Sequence, residues 1–317
     1  MARAAVRRAA LLAVLLLAGC GGAKHATFTN PVWNHDFPDP FVLKVDGTYY
    51  AYATNAGGKH VQTLTSRDLV HWRAGPDALP HVGSWTYTGQ TWAPEVLRRG
   101  DGTYVLYYTE NLCVGRAVAS RPLGPFVDRS RGPLVCQRAF GGSIDASPFR
   151  DTNGKLYLVW KSDAANVGGQ SEIWAQRLTD DGLRLVGPRR PIETDDKPWE
   201  ASVVEGPVLW KHDGRYFLFY SGNGYDTDSY AVGYATCKGP LGPCRDAPEN
   251  PILKKRCRAY GPGHNALIEV GGQTWIVYHA WLRYHAGDKR VLWIDKLDWR
   301  DGKPRVDGPT CKAQPAP

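Results

Sequence analysis

The chain has 317 residues, 22% of them charged, with 39 basic against 31 acidic side chains and a formal charge of +8. The basic residues are scattered and form no Lys/Arg run interleaved with aromatics, which argues against nucleic-acid binding and leaves only a mild attraction to acidic polymers. The length suits one large domain, no Pro/Ser-rich linker divides it, and the 12 Trp and 16 Tyr are many for its size.

Residues 1–19 start with Arg3, Arg7 and Arg8 and continue through an apolar run over 9–17. That is the plan of a secretory signal, and the run is shorter than the roughly 20 residues a spanning helix needs. Leu17-Ala18-Gly19-Cys20 resembles a bacterial lipobox. The resemblance implies a lipoprotein signal peptide over 1–19, a lipid on Cys20, and anchoring at the outer face of a bacterial cell membrane with no other membrane contact. An ordinary signal peptide cut nearby is the alternative. Without residues 1–19 the chain has 36 basic and 31 acidic residues, about +5. Residues 20–29 are small and polar and read as a tether.

From residue 30 onward one pattern recurs. Asp36 to Thr54, DFPDPFVLKVDGTYYAYAT, is an apolar run, an Asp-Gly turn and a second run rich in Tyr, a strong hairpin signal. Further second runs are TYVLYYT (103–109), KLYLVWK (155–161), RYFLFYS (215–221) and QTWIVYH (273–279), each after Asp-Gly, Asn-Gly or Gly-Gly. The turn glycines Gly47, Gly102, Gly154, Gly214 and Gly272 stand 55, 52, 60 and 58 residues apart. Third runs begin at Val61, Val114, Ser171, Tyr230 and Val291, with room for a fourth strand after each. An all-strand unit of this length in five copies predicts an all-β, five-bladed β-propeller over 30–311. Without Cys20, six cysteines remain, an even number that suggests disulfides in an exported chain. The repeat map favours Cys113 with Cys136, Cys237 with Cys244 and Cys257 with Cys311, the last helping to close the ring.

First strands of blades line a propeller's channel, so their openings meet at one mouth. They read Asp39 in PDPF, Trp92 to Glu95 in TWAPEV, Asp145 in SIDASPF, Glu205 in VVEGPVL and His264 in GPGHNAL. Converging carboxylates raise one another's pKa and need a task. Inverting glycoside hydrolysis supplies one, with a protonated acid beside the leaving oxygen and an ionised base roughly 6.5–9.5 Å away holding water.

PDPFVLKVDGTYYAYAT, TWAPEV, SIDASPF, VEGPVL and GPGHNAL, in this order, resemble the blade-opening motifs of glycoside hydrolase family 43. The resemblance implies an inverting hydrolase of α-L-arabinofuranosides or β-D-xylosides, with Asp39 as general base, Asp145 orienting the acid and tuning its pKa, and Glu205 as general acid. It also implies that Trp92 packs on the sugar, that Arg290 contacts a sugar hydroxyl, and that His264 sits by a calcium or sodium ion in the channel, no cofactor being required for the chemistry. Phe41 and Gly206 depart from the family's usual small residue and alanine at these places.

The residues also admit plainer readings. Asp39 and Asp145 could be turn aspartates, Trp92 blade packing, Arg290 a rim residue and His264 a hydrogen-bonded structural histidine, while Asp36 reads as solvated or capping and His279 as core. Glu205, between Val203-Val204 and Gly206-Pro207, needs a partner or a task in so apolar a setting. A carbohydrate-binding propeller without chemistry is the alternative function, but a lectin would repeat one constellation in every blade. A retaining fructosidase, with carboxylates about 5–5.5 Å apart, fits the motifs less well. The reading is a monomer, exo-acting on arabinose- or xylose-containing plant cell-wall oligosaccharide or polysaccharide. Segments 77–91, 185–201, 222–229 and 282–289 are the candidates for deciding which.

Overall fold

The structure, a computed structural model, describes residues 1, 26–87, 89–283 and 288–317. The signal over 1–19, Cys20 and most of the tether lie outside them. Five antiparallel sheets follow one another along the chain as the blades of a propeller. Blade I runs Phe41–Val45, Thr48–Ala53, Gln62–Ser66, Trp72–Ala74; blade III Ser143–Arg150, Leu156–Ser162, Glu172–Leu178, Leu185–Thr194; blade IV Val204–His212, Arg215–Gly222, Ala231–Cys237, Cys244–Asp246; blade V Tyr260–Val270, Gln273–Trp281, Arg290–Arg300, Lys303–Val306. Blade II has three strands, Trp92–Arg98, Tyr104–Glu110 and Cys113–Ala119. Its fourth place is filled by a segment held through isolated bridges Val118–Val127 and Val114–Val135 and the disulfide Cys113–Cys136.

The turn pairs behave as their residues dictate. Asp46-Gly47, Asp213-Gly214 and Gly271-Gly272 have positive φ at both residues and make two-residue hairpins. At Asp101-Gly102 and Asn153-Gly154 only the glycine is left-handed, and the loops are longer.

One hydrophobic cluster fills each gap between neighbouring blades. Tyr52, Val96 and Leu106 join I to II, Leu97 and Trp160 join II to III, and Val159, Leu209 and Leu218 join III to IV. Phe219, Ile276 and Trp293 join IV to V, while Val42, Leu64, Val277 and Ile294 join V back to I. Tyr and Trp supply the largest fully buried side chains, each carrying enough apolar area to stabilise an interface by a few kcal/mol, on the order of 25 cal/mol per Å².

The ring is locked where the chain ends meet. Thr27–Phe28 pairs with Gln314–Pro315, so the folded body takes in residues on both sides of 30–311. The buried Asn30 side chain donates to Ile294 O and accepts from Ile294 N–H. The three disulfides join Cys113 to Cys136, Cys237 to Cys244 and Cys257 to Cys311, as the repeat map favoured. Residues 185–194 form the outer strand of blade III rather than a loop at the channel mouth.

Candidate active site

Each blade opens onto the channel through the same device. At Asp39, Ala93, Asp145, Gly206 and His264 the backbone is left-handed, with φ of 56°, 43°, 57°, 55° and 49°. In blades II to V the register with the second strand slips there. Non-glycine residues in this region cost about 1 kcal/mol or more each. At Gly206 a Cβ would also lie 3.2 Å from the His264 ring, which gives the departure from alanine a physical basis.

Four of the five turns are held by the preceding blade. Asp39 N–H donates to His279 Nδ1 (3.0 Å), Ala93 N–H to Thr54 Oγ1 (2.9 Å), Asp145 N–H to Thr109 Oγ1 (3.2 Å) and His264 N–H to Ser221 Oγ (2.8 Å). Each acceptor is the seventh residue after its blade's turn glycine. In blade III that position is Lys161. An ammonium cannot accept, and the Gly206 N–H donates to Asp145 Oδ2 instead (3.1 Å).

All six candidate residues, Asp39, Trp92, Asp145, Glu205, His264 and Arg290, line one cavity of about 460 Å³ at this mouth. Asp39 accepts from Arg290 Nη1 at 2.9 Å through Oδ1 and from the Thr54 hydroxyl through Oδ2. Burial alone would raise its pKa, but the Arg290 guanidinium, with His264 beside it, outweighs burial and holds the carboxyl well below the usual range. Asp145 differs. Burial pushes it up to about 6, and the Glu205 and Asp39 charges act in the same direction. Glu95, buried in blade II near Asp145, is raised to about 8, chiefly by burial.

Both oxygens of Glu205 are engaged. Tyr230 Oη donates to Oε1 at 2.7 Å and Lys161 Nζ to Oε2 at 2.9 Å. Lys161, 3% exposed, also lies 3.1 Å from Asp163 Oδ1 and itself lines the cavity.

Arg290 opens the third strand of blade V, and its backbone N–H donates to Asp36 Oδ1 at 2.9 Å. Asp36 is therefore a half-buried anchor rather than a solvated residue. The Arg290 guanidinium lies 5.0 Å from the Tyr225 ring centre and 5.9 Å from that of Trp281. His279 is fully buried, as a core histidine should be, yet it also holds the Asp39 backbone. Burial and the Arg290 charge push its pKa well below normal, so it is neutral, with its proton on Nε2 because Nδ1 accepts.

His264 Nδ1 lies 3.4 Å from Asp39 Oδ1. Among the described residues no group of three or more His, Cys, Asp or Glu side chains is placed to hold a metal. The buried Asn265 beside His264 has both amide atoms without a protein partner.

Lys161, Tyr230, Thr54 and His279 were not singled out as site residues from sequence. The seventh-position rule finds Lys161, Thr54 and His279; nothing local marks Tyr230. Of the four candidate loops, 222–229 contributes Gly224, Tyr225 and Asp226 to the cavity wall, while 282–289 falls partly outside the described residues.

Comparison with known proteins agrees with this architecture. The sequence model of glycosyl hydrolases family 43 matches residues 28–304. The chain is 29% identical to a beta-D-galactofuranosidase of Aspergillus niger, over 84% of this chain and 81% of that protein. It is 28% identical to a beta-xylosidase of Bacillus subtilis, over 88% of this chain but only 57% of the relative. A crystal structure of a thermostable family-43 glycoside hydrolase superposes with a TM-score of 0.84 at 34% identity, covering 92% of this chain and 99% of that one.

Proposed function

The chain belongs to glycosyl hydrolases family 43, and from that premise we propose that it is an inverting, exo-acting glycosidase releasing α-L-arabinofuranosyl or β-D-xylosyl units from plant cell-wall oligosaccharide and polysaccharide. The observation carrying this is the set of three unlike carboxyl environments around one cavity. Asp39, held ionised by Arg290, suits the base that takes a proton from water as it attacks the anomeric carbon. Glu205, across the channel on blade IV, suits the acid that protonates the leaving oxygen. Asp145, its proton retained to about pH 6 and its Oδ2 on the Gly206 N–H, suits the residue that positions the acid. Trp92 offers a flat face for the sugar, and Arg290, stacked on Tyr225 and Trp281, offers donors to a hydroxyl.

Family 43 enzymes need no cofactor for this chemistry. A calcium or sodium ion in the channel would have the His264 imidazole, which lines the cavity, as a protein donor, a sparse set. It would supply a fixed positive charge, and no step runs through it.

The test is hydrolysis of p-nitrophenyl α-L-arabinofuranoside, β-D-xyloside and, in view of the Aspergillus niger relative, β-D-galactofuranoside, followed by product analysis on arabinan and arabinoxylan. Monosaccharide release from the polymers supports the reading; internal oligosaccharides alone overturn its exo character. Glu205→Gln should lose about 10²- to 10⁴-fold on the polymer and much less on the aryl glycoside, whose leaving group needs little protonation. Full activity of this variant on the polymer would remove Glu205 from the role of acid.

For its location we propose export, cleavage after Gly19 and a lipid on Cys20, with the propeller acting as a monomer. Three disulfides support an oxidising compartment. Incorporation of labelled palmitate that disappears in Cys20→Ala is the expected outcome, and label retained in that variant would place the lipid elsewhere.

A further inference from the structure

The four acceptors His279, Thr54, Thr109 and Ser221 each tie the next blade's left-handed turn to the ring. At the equivalent place blade III has a buried lysine, and the blade it faces is the one that carries Glu205. We propose that Lys161 is a positioning residue for the catalytic acid: it exchanges the backbone tie of the other blades for a hydrogen bond that fixes Glu205 while it holds its proton and becomes an ion pair that stabilises the carboxylate left when the proton is given up. This rests on the assignment of Glu205 as the acid.

The donors dictate the details. Lys161 Nζ donates to Oε2, and its positive charge disfavours a proton on that oxygen. The transferable proton then sits on Oε1, where the Tyr230 hydroxyl can rotate from donor to acceptor. When it passes to the glycosidic oxygen, the O–H bond of Glu205 breaks, a bond to the leaving oxygen forms, and a full negative charge appears 2.9 Å from a buried ammonium. A cation aimed at charge that develops during reaction lowers the barrier more than it stabilises the ground state. The cation is shared, since Asp163 Oδ1 is 3.1 Å from the same Nζ and Asp163 is itself bonded to Asn166 Nδ2. Glu205 also interacts with Asp145 of blade III and the neutral Tyr230, which are themselves acted on by Asp39 of blade I and, for Asp145, by His264 of blade V.

The alkaline limb of the kcat/KM profile on a natural glycoside reads the acid's proton. Lys161→Met, nearly isosteric and neutral, should move that limb up by about one pH unit. It should cut kcat on the polymer about tenfold while leaving an aryl glycoside with a good leaving group nearly unchanged. Asp163→Asn, which leaves the whole ammonium charge to Glu205, should move the limb down. An unmoved limb in folded Lys161→Met, or a shift of the same sign in both variants, overturns the proposal. Should Lys161→Met fail to fold, Asp163→Asn decides alone: a lower limb supports the role, and an unmoved or higher one overturns it. The assignment of Glu205 fails separately, by a fully active Glu205→Gln.

Discussion

Asp39 and Asp145 hold the same place in blades I and III, with φ of 56° and 57°, each at the mouth of the channel. Their chemistry is opposite. Asp39 receives a guanidinium and a hydroxyl, with the His264 imidazole beside it, and is held ionised. Asp145 accepts from the Gly206 N–H, and although His264 and Lys161 pull its pKa down, burial together with the Glu205 and Asp39 charges pushes it up to about 6. The propeller repeat therefore copies backbone and direction, while the charge of each site is set by what the neighbouring blades present. Arg290 comes from the far side of the ring closure, on blade V, and nothing in blade I marks it as the partner of Asp39.

The sharpest way to break the comparison is to neutralise each aspartate. Asp39→Asn removes the group that activates water. It should cost at least about 10³-fold in kcat/KM on both the polymer and the aryl glycoside, since the attacking water is needed whatever the leaving group is. Loss on the polymer alone, with the aryl glycoside spared, would make Asp39 part of leaving-group chemistry and exchange its role with that of Glu205.

Much of this was legible in the chain. Turn pairs followed by Tyr- and Trp-rich runs mark five hairpins because positive φ at Gly and an amphipathic or buried strand are local requirements. The openings Asp39, Asp145, Glu205 and His264 could be read for the same reason, since each sits just before or within an inner strand. What could not be read depends on contacts between blades. Tyr230, just before blade IV's third strand, reaches Glu205 by a path that no local pattern encodes. Segment 185–201 reads as a candidate for substrate choice, yet its residues 185–194 form an edge strand, which tolerates the prolines and exposed charge found there. Lys161 was visible as the last letter of KLYLVWK; only the hydroxyls and imidazole at the matching places give it a meaning.

A smaller effect sharpens the comparison further, because stability should change in opposite directions at the two places. A carboxyl whose folded pKa lies below the unfolded value contributes stability that is present above about pH 4 and lost as pH falls toward the folded pKa. Asp39 is of this kind, so Asp39→Asn should lower Tm at pH 7, all the more because Arg290 loses its partner. Asp145 is the reverse. Its folded pKa of about 6 lies above the ordinary 3.8, so the native protein loses stability as pH rises from about 4 to about 6 and stays at the lower value beyond. Asparagine keeps an oxygen for the Gly206 N–H without that charge. Asp145→Asn should therefore match the parent's Tm at pH 4 and exceed it above pH 6. The gain should be on the order of 1–3 kcal/mol, roughly several degrees for a chain of this size, while activity on the polymer falls. Thermal unfolding of both variants at pH 4, 5, 6 and 7.5 reads the two signs together. A Tm that falls for Asp145→Asn across the whole range would mean that Asp145 is ionised and paired in the folded protein, and that the two aspartates are alike after all.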